Sequence, residues 1–146
     1  MAVIGLPHLT LSFFTLPSKA LTTMFTAITI LSSALSAFKE FTGDSDVQVQ
    51  TVQTFLIVAT SRNPSMEDIT RIIGLSQAAT SRNIKKLAEG PKAQEGYGLI
   101  TLNLDPYDGR KRVTSLSARG YELVRFIENR TMPQLWQHFI QLAVKP

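Results

Sequence analysis

The sequence predicts a mainly α-helical domain that carries one small β-hairpin, and three observations predict it. Apolar residues recur at spacings of three and four through most of the chain. One stretch alternates instead: Leu99 to Leu104 runs into Asp105-Pro106-Tyr107-Asp108-Gly109 and a second β-prone run ending at Leu116. Serines that can cap a helix stand at positions 18, 65, 76 and 117, each before an apolar-periodic segment, and Gly74 separates two of those segments.

At 146 residues the chain has the size of a single domain, and 44% hydrophobic against 18% charged residues is enough to build a core. With no cysteine it has no disulfide framework, thiolate metal site or thiol switch, and two histidines are too few for a histidine metal centre. The formal charge of +4 is concentrated. Arg82, Lys85, Lys86, Lys92, Arg110, Lys111 and Arg112 face only Glu89, Glu95, Asp105 and Asp108 within one fifth of the chain, so a polyanion should meet the protein there.

Residues 1–17 read as an apolar arm interrupted by Pro7 and Pro17. No base precedes the arm and no small-residue cleavage site follows it, so a secretory signal is not expected. Ser18 then opens a long helix, over 18–42. Its uncharged run Ala20 to Phe38 is long enough to cross a bilayer. The order of its residues argues for packing against another helix instead: Leu21, Met24, Ile28, Leu31, Leu35 and Phe38 form a seam at steps of 3, 4, 3, 4 and 3, with Thr22, Thr26, Thr29, Ser33 and Ser36 as a parallel polar stripe. Such a seam packs along another helix, within the chain's own core or across a subunit interface, and the interface of a dimer is expected to contain it.

After the Asp44-Ser45-Asp46 break, Val52, Phe55, Leu56 and Ala59 mark a short helix ending before Asn63-Pro64. Ser65 with Asp68 forms a capping-box variant for the next helix, whose buried face should be Ile69, Ile72 and Ile73. Gly74 suits the left-handed turn that ends it, and Leu75 should plug the corner. Ser76 caps the following helix, Gln77 to about Glu89, with Thr80, Ile84 and Leu87 inward and Gln77, Ala78, Ser81, Arg82 and Lys85 outward. Helix, glycine-containing turn, helix is the helix-turn-helix arrangement, although on charge alone a hairpin with a solvated face reads as well.

The next segment separates the two. Strand, turn and strand follow, with Pro106 presetting the turn, Gly109 able to take positive φ, and Asp108, Arg110, Lys111 and Arg112 at the tip. A hairpin in this place is a wing, which lies along phosphates or in the minor groove. Ser117 caps a long helix through Tyr121, Leu123, Val124 and Ile127, and Pro133 is expected at the first turn of a last helix bearing Leu135, Trp136, Phe139 and Ile140.

These residues resemble the multiple-antibiotic-resistance regulator (MarR) family of winged-helix proteins over about residues 20–142. The likeness lies in Gly74-Leu75-Ser76-Gln77-Ala78-Ala79-Thr80-Ser81-Arg82-Asn83-Ile84-Lys85-Lys86-Leu87, and in Asp108-Gly109-Arg110 followed by Leu116-Ser117-Ala118-Arg119-Gly120, which stand where the family has Asp-x-Arg and Leu-Thr-x-x-Gly. Three departures are visible: Thr80 stands where a core Val or Ile is usual, Ala88 to Tyr97 lengthens the junction before Gly98-Leu99-Ile100, and the apolar arm Met1 to Leu16 has no family counterpart.

The resemblance implies a winged helix-turn-helix with N- and C-terminal dimerisation helices: 1–17 arm, 18–42 and 117–143 dimerisation helices, and 47–116 DNA-binding core. It implies a cytoplasmic homodimer that binds a pseudo-palindromic operator in double-stranded DNA as a transcriptional regulator, a repressor, sometimes released by a small-molecule effector. Recognition-helix contacts would come from Ser76, Gln77, Ala78, Ser81, Arg82 and Lys85, wing contacts from Asp108, Arg110, Lys111 and Arg112. Dimer contacts would add Leu135 and Phe139 to the α-helical seam. No catalytic set, metal site or cofactor is expected: His8 and His138 lie in apolar surroundings, and Gly96-Tyr97-Gly98 is too short for a phosphate loop. Two other classes share these features. One is a winged-helix factor in replication or in phage or plasmid maintenance; the other is a membrane-associated interaction protein acting through its first 38 residues.

Overall fold

The computed structural model describes residues 18–88 and 96–144, and the side chains from 26 onward within them. The apolar arm, most of the lengthened junction and the side chains of Leu21 and Met24 therefore lie outside the described residues. Five helices and one hairpin follow in the order α1 (Ser18–Thr42), α2 (Val49–Thr60), α3 (Met66–Ile73), α4 (Gln77–Leu87), β1 (Ile100–Leu104), β2 (Arg112–Leu116) and α5 (Ala118–Ala143). The strands pair antiparallel, from Ile100 opposite Leu116 to Leu104 opposite Arg112.

The core forms where α1, α2, α3, α4, the hairpin base and α5 converge: Phe38, Phe55, Ile69, Leu87, Leu99 and Leu123 are fully buried. Phe38 meets Phe55 edge to face at 5.5 Å, the geometry that sets a ring's positive edge on its neighbour's negative face. The α1 seam is therefore divided. Phe38 and its neighbour Leu35 pack on the chain's own core, whereas Ile28 and Leu31 are each more than half exposed.

Helix α5 runs antiparallel along α1. Arg130 donates to both Glu40 carboxylate oxygens at 2.8 Å, Gln134 Nε2 donates to Ser33 Oγ at 2.9 Å, and His138 Nδ1 lies 3.4 Å from Thr26 Oγ1. Phe41 and Phe126 pack at 5.7 Å in the same seam. Thr26 and Ser33 belong to the polar stripe, so these two stripe residues meet α5, while Ile28 and Leu31 are left more than half exposed.

Three local expectations change. Pro133 lies inside a continuous α5 and does not start a new helix. Proline lacks the N–H that would bond back one turn, and lateral packing along α1 holds the helix through that gap. Ile72 is exposed, because a helix of eight residues turns only Ile69 fully and Ile73 partly inward. Helix α4 ends at Leu87, where Ala88 leaves it to bridge Ile100.

Candidate nucleic-acid interface

The pair α3–α4 is built from its caps. Ser65 Oγ accepts from the Asp68 amide at 3.2 Å while an Asp68 carboxylate oxygen accepts from the Ser65 amide at 3.1 Å, closing the reciprocal box. These bonds to Ser65, aided by the nearby charges of Arg71 and Lys111, hold the Asp68 carboxyl below its ordinary range. Gly74 takes φ 76° and ψ 27°, the left-handed conformation a tight corner requires, and Leu75 beside it is half-buried. Ser76 then caps α4 by accepting from the Ala79 amide at 3.2 Å.

Two polar pairs, one buried and one partly so, fix how α4 sits. Thr70 Oγ1 donates to Thr80 Oγ1 at 3.0 Å, tying α4 to α3, and Thr51 Oγ1 donates to Asn83 Oδ1 at 2.9 Å, tying it to α2. Thr80 is thus buried as a hydrogen-bonding residue, which accounts for a threonine at a position that otherwise suits Val or Ile. With Thr80, Asn83, Ile84 and Leu87 inward, Gln77, Ala78, Arg82 and Lys85 are exposed and Ser81 is half-buried. Ser76, although exposed, has its hydroxyl engaged as the cap.

Lys86 is set apart from this face. Its ammonium lies 2.9 Å from the Asp44 carboxylate and 5.4 Å from the Tyr97 ring centroid, and the Tyr97 hydroxyl donates to the same Asp44 carboxylate. The Tyr97 hydroxyl first, then Lys86, holds the Asp44 carboxyl down at about 2. In turn Asp44 raises Lys86, and burial pushes the Tyr97 phenol up. This cluster joins the α1–α2 turn, the last turn of α4 and the approach to β1.

The hairpin is attached to both helices of the pair. Ser65 bridges Val113, and the Pro64 carbonyl accepts from the Thr114 amide at 3.0 Å and from its hydroxyl at 2.8 Å. At the other edge Ala88 bridges Ile100. The tip has its own bonds: Asp105 Oδ1 accepts from the Tyr107 amide at 2.8 Å, Asp108 Oδ1 from the Arg110 amide at 3.2 Å, and the Lys111 amide donates to the Asp108 carbonyl at 2.9 Å. Gly109 does not take a positive φ, because the Asp105 and Asp108 side chains close the turn without it. Arg110, Lys111 and Arg112 are exposed, and none of them forms an ion pair among the described residues.

Sequence reasoning assigned no role to Asp44, Tyr97, Thr51 or Tyr107. The first three act through contacts between distant segments; Tyr107 was readable as an aromatic residue at a turn tip, and it is 99% exposed.

Elsewhere, a groove of about 230 Å³ between α1 and α2 is lined by residues that include Leu35, Lys39, Val47, Val49 and Val52. Among the described residues no group of three His, Asp or Glu side chains is arranged to hold a metal ion, and no helix is long and apolar enough to cross a membrane.

No protein-family model and no curated protein matches the chain in sequence. Solved structures do match in fold. Transcriptional regulator Tm0710 from Thermotoga maritima superposes with a TM-score of 0.65 at 12% identity, over 89% of this chain and 82% of that one. RV1404 from Mycobacterium tuberculosis gives 0.64 at 14% identity, over 90% and 83%. MepR from S. aureus, in its complex with DNA, gives 0.56 at 18% identity, over 85% and 94%. At these identities the likeness is one of fold: the chain is a winged helix-turn-helix flanked by long helices from both ends of the domain.

Proposed function

We propose that this chain is a sequence-specific double-stranded-DNA-binding protein that acts as a homodimeric transcriptional regulator of the MarR type, a repressor. The observation that carries the reading is the outer face of α4. A helix capped and bonded on its inner side to α2 and α3 leaves Gln77, Ala78, Arg82 and Lys85 exposed, in a unit sewn to a hairpin tipped by three exposed bases. Helix side chains with short donors and acceptors read base edges in the major groove, and hairpin cations hold phosphates or the minor groove. A DNA complex of a protein with the same fold supports this use of the surface.

The dimer is supported by apolar residues left uncovered. Ile28 and Leu31 on α1, and Trp136, Phe139 and Ile140 on α5, are each more than half exposed, on helices that run side by side. Leu135 is half-buried. Two copies meeting through these helices about a twofold axis would cover that surface and present two recognition helices to a palindromic site. The groove between α1 and α2 is where we place a small amphipathic effector.

Selection of bound duplexes from a random pool tests the reading. Recovery of a palindrome with two half-sites is expected, and repression of a promoter fused to that sequence separates a regulator from a replication or maintenance factor. Failure to enrich any sequence overturns it.

A further inference from the structure

We propose that Tyr107 is a minor-groove wedge: its ring enters the minor groove of duplex DNA beside the wing's arginines and gives the wing a share of affinity that does not depend on salt. The inference rests on the DNA-binding reading above.

A large aromatic side chain that is 99% exposed has no packing role in its own chain, so the protein gains nothing in folding from having it there. The backbone that carries it is nevertheless held in one shape. The Tyr107 amide donates to Asp105 Oδ1 at 2.8 Å, the Asp105 amide donates to the Lys111 carbonyl at 2.9 Å, and Pro106 sets the preceding φ. A ring presented on a preformed turn loses little conformational freedom when it binds, the condition under which a contact residue contributes most.

The neighbours of Tyr107 say what it would meet. Arg110, Lys111 and Arg112 stand three to five positions further on, exposed and free of ion pairs among the described residues. Leu104, paired across the hairpin with Arg112, is 64% exposed, so apolar surface and positive charge lie together at this end of the wing. A partner must then combine dense negative charge with an apolar recess. The minor groove does so: about 6 Å wide, it takes a ring edge-on between apolar deoxyribose walls, while its phosphates and narrow-tract potential hold the arginines. An anionic lipid surface also pairs bases with aromatic rings. The duplex is favoured because the hairpin is bonded to α3 and α4, whose exposed face carries Gln77, Arg82 and Lys85.

The test uses the full chain, a fluorescently labelled operator taken from the selection, and binding curves over a range of salt. Tyr107→Ala is expected to weaken binding about ten- to a hundredfold, the scale of burying one large apolar side chain, with the slope of log affinity against log salt unchanged. Tyr107→Phe should retain most of the affinity. Arg110→Ala should instead reduce that slope by about one.

Replacing guanine with inosine in the flanks the wing reaches removes the amino group from the minor-groove floor and leaves the major-groove edge unchanged. This should strengthen binding of the wild type more than that of Tyr107→Ala, whose arginines still meet the altered groove. Because the Tyr107 side chain is almost wholly exposed and the turn is held through its backbone amide, its variants should melt like the wild type.

Binding by Tyr107→Ala within about twofold of wild type overturns the wedge, as does a loss confined to the salt slope. Tyr107-dependent binding to phosphatidylglycerol vesicles with no effect on DNA also overturns it, in favour of a lipid surface. Absence of duplex binding by the wild type refutes the DNA reading itself, and the wedge with it.

Discussion

Replacing Gly120 with alanine should destabilise the protein, against the ordinary rule for a glycine in a helix. Alanine in a helix interior is favoured by roughly 0.5–1 kcal/mol. Gly120, however, sits in the first turn of α5 against the base of the hairpin, and a Cβ built there lies 2.1 Å from the Leu99 carbonyl oxygen and 3.1 Å from Leu116 Cδ2. That first distance falls more than about 1 Å short of an ordinary contact.

The obstacle is backbone, and it is already committed: the Leu99 carbonyl accepts from the Ser117 amide at 3.0 Å, and Leu99 is fully buried. Moving α5 away breaks that bond, at about 1–3 kcal/mol for a buried carbonyl left unpaired, and overpacks the core at about 1–3 kcal/mol more. Net of the helix gain, Gly120→Ala should lose about 1–5 kcal/mol. Urea unfolding followed by circular dichroism, at one fixed protein concentration because a dimer's midpoint depends on it, should show the midpoint falling by about 1–2 M. An unchanged or higher midpoint would refute the steric reasoning and leave Gly120 an ordinary weak helix position.

The Asp44 carboxyl, held at about 2 against an ordinary 3.8, contributes stability that is present above pH 4 and lost as pH falls toward 2; Asp44→Asn should remove that part of the acid limb in thermal melts taken across this range. Gln77→Ala should cost on the order of 1–3 kcal/mol on the operator alone, whereas Arg110→Ala should weaken all duplexes; equal losses on operator and random DNA for Gln77→Ala would remove it from base reading. Asp108→Ala should weaken operator binding although it adds positive charge, because Asp108 Oδ1 holds the Arg110 amide, and a gain in affinity at physiological salt would show the acid to be only a solubility charge. Ile28→Asp or Leu31→Asp should give monomer or aggregate in sedimentation, and a stable monomeric wild type would contradict the proposed interface.

The parts of this fold that are legible in the sequence are those decided within a few residues. Ser65 with Asp68, Gly74, Ser76 and Ser117 each satisfy or relax backbone groups one turn away, so their roles follow from local chemistry alone. The outer face of α4 follows from its inward line of Thr80, Ile84 and Leu87. What could not be read depends on which segments meet. Pro133 looks like a helix start until α1 is known to support α5 through it. The Thr51–Asn83 pair joins residues 32 positions apart, and Asp44 meets Tyr97 across 53. The α1 seam is ambiguous for the same reason, since a stripe shows that a helix has two faces and not which neighbour each face meets.

The lengthened junction between α4 and β1 begins and ends at nearly the same point. The Tyr97 amide donates to the Lys86 carbonyl at 2.9 Å and the Leu99 amide to the Leu87 carbonyl at 2.8 Å, so the chain that leaves beyond Ala88 returns to the backbone it left. The hairpin is therefore held against the end of α4 by this clasp. Doubling a connection of this kind costs only about 0.6 kcal/mol in closure entropy. The backbone bonds at Lys86 and Leu87 thus keep α4 and the hairpin in mutual register from the described ends of the junction alone.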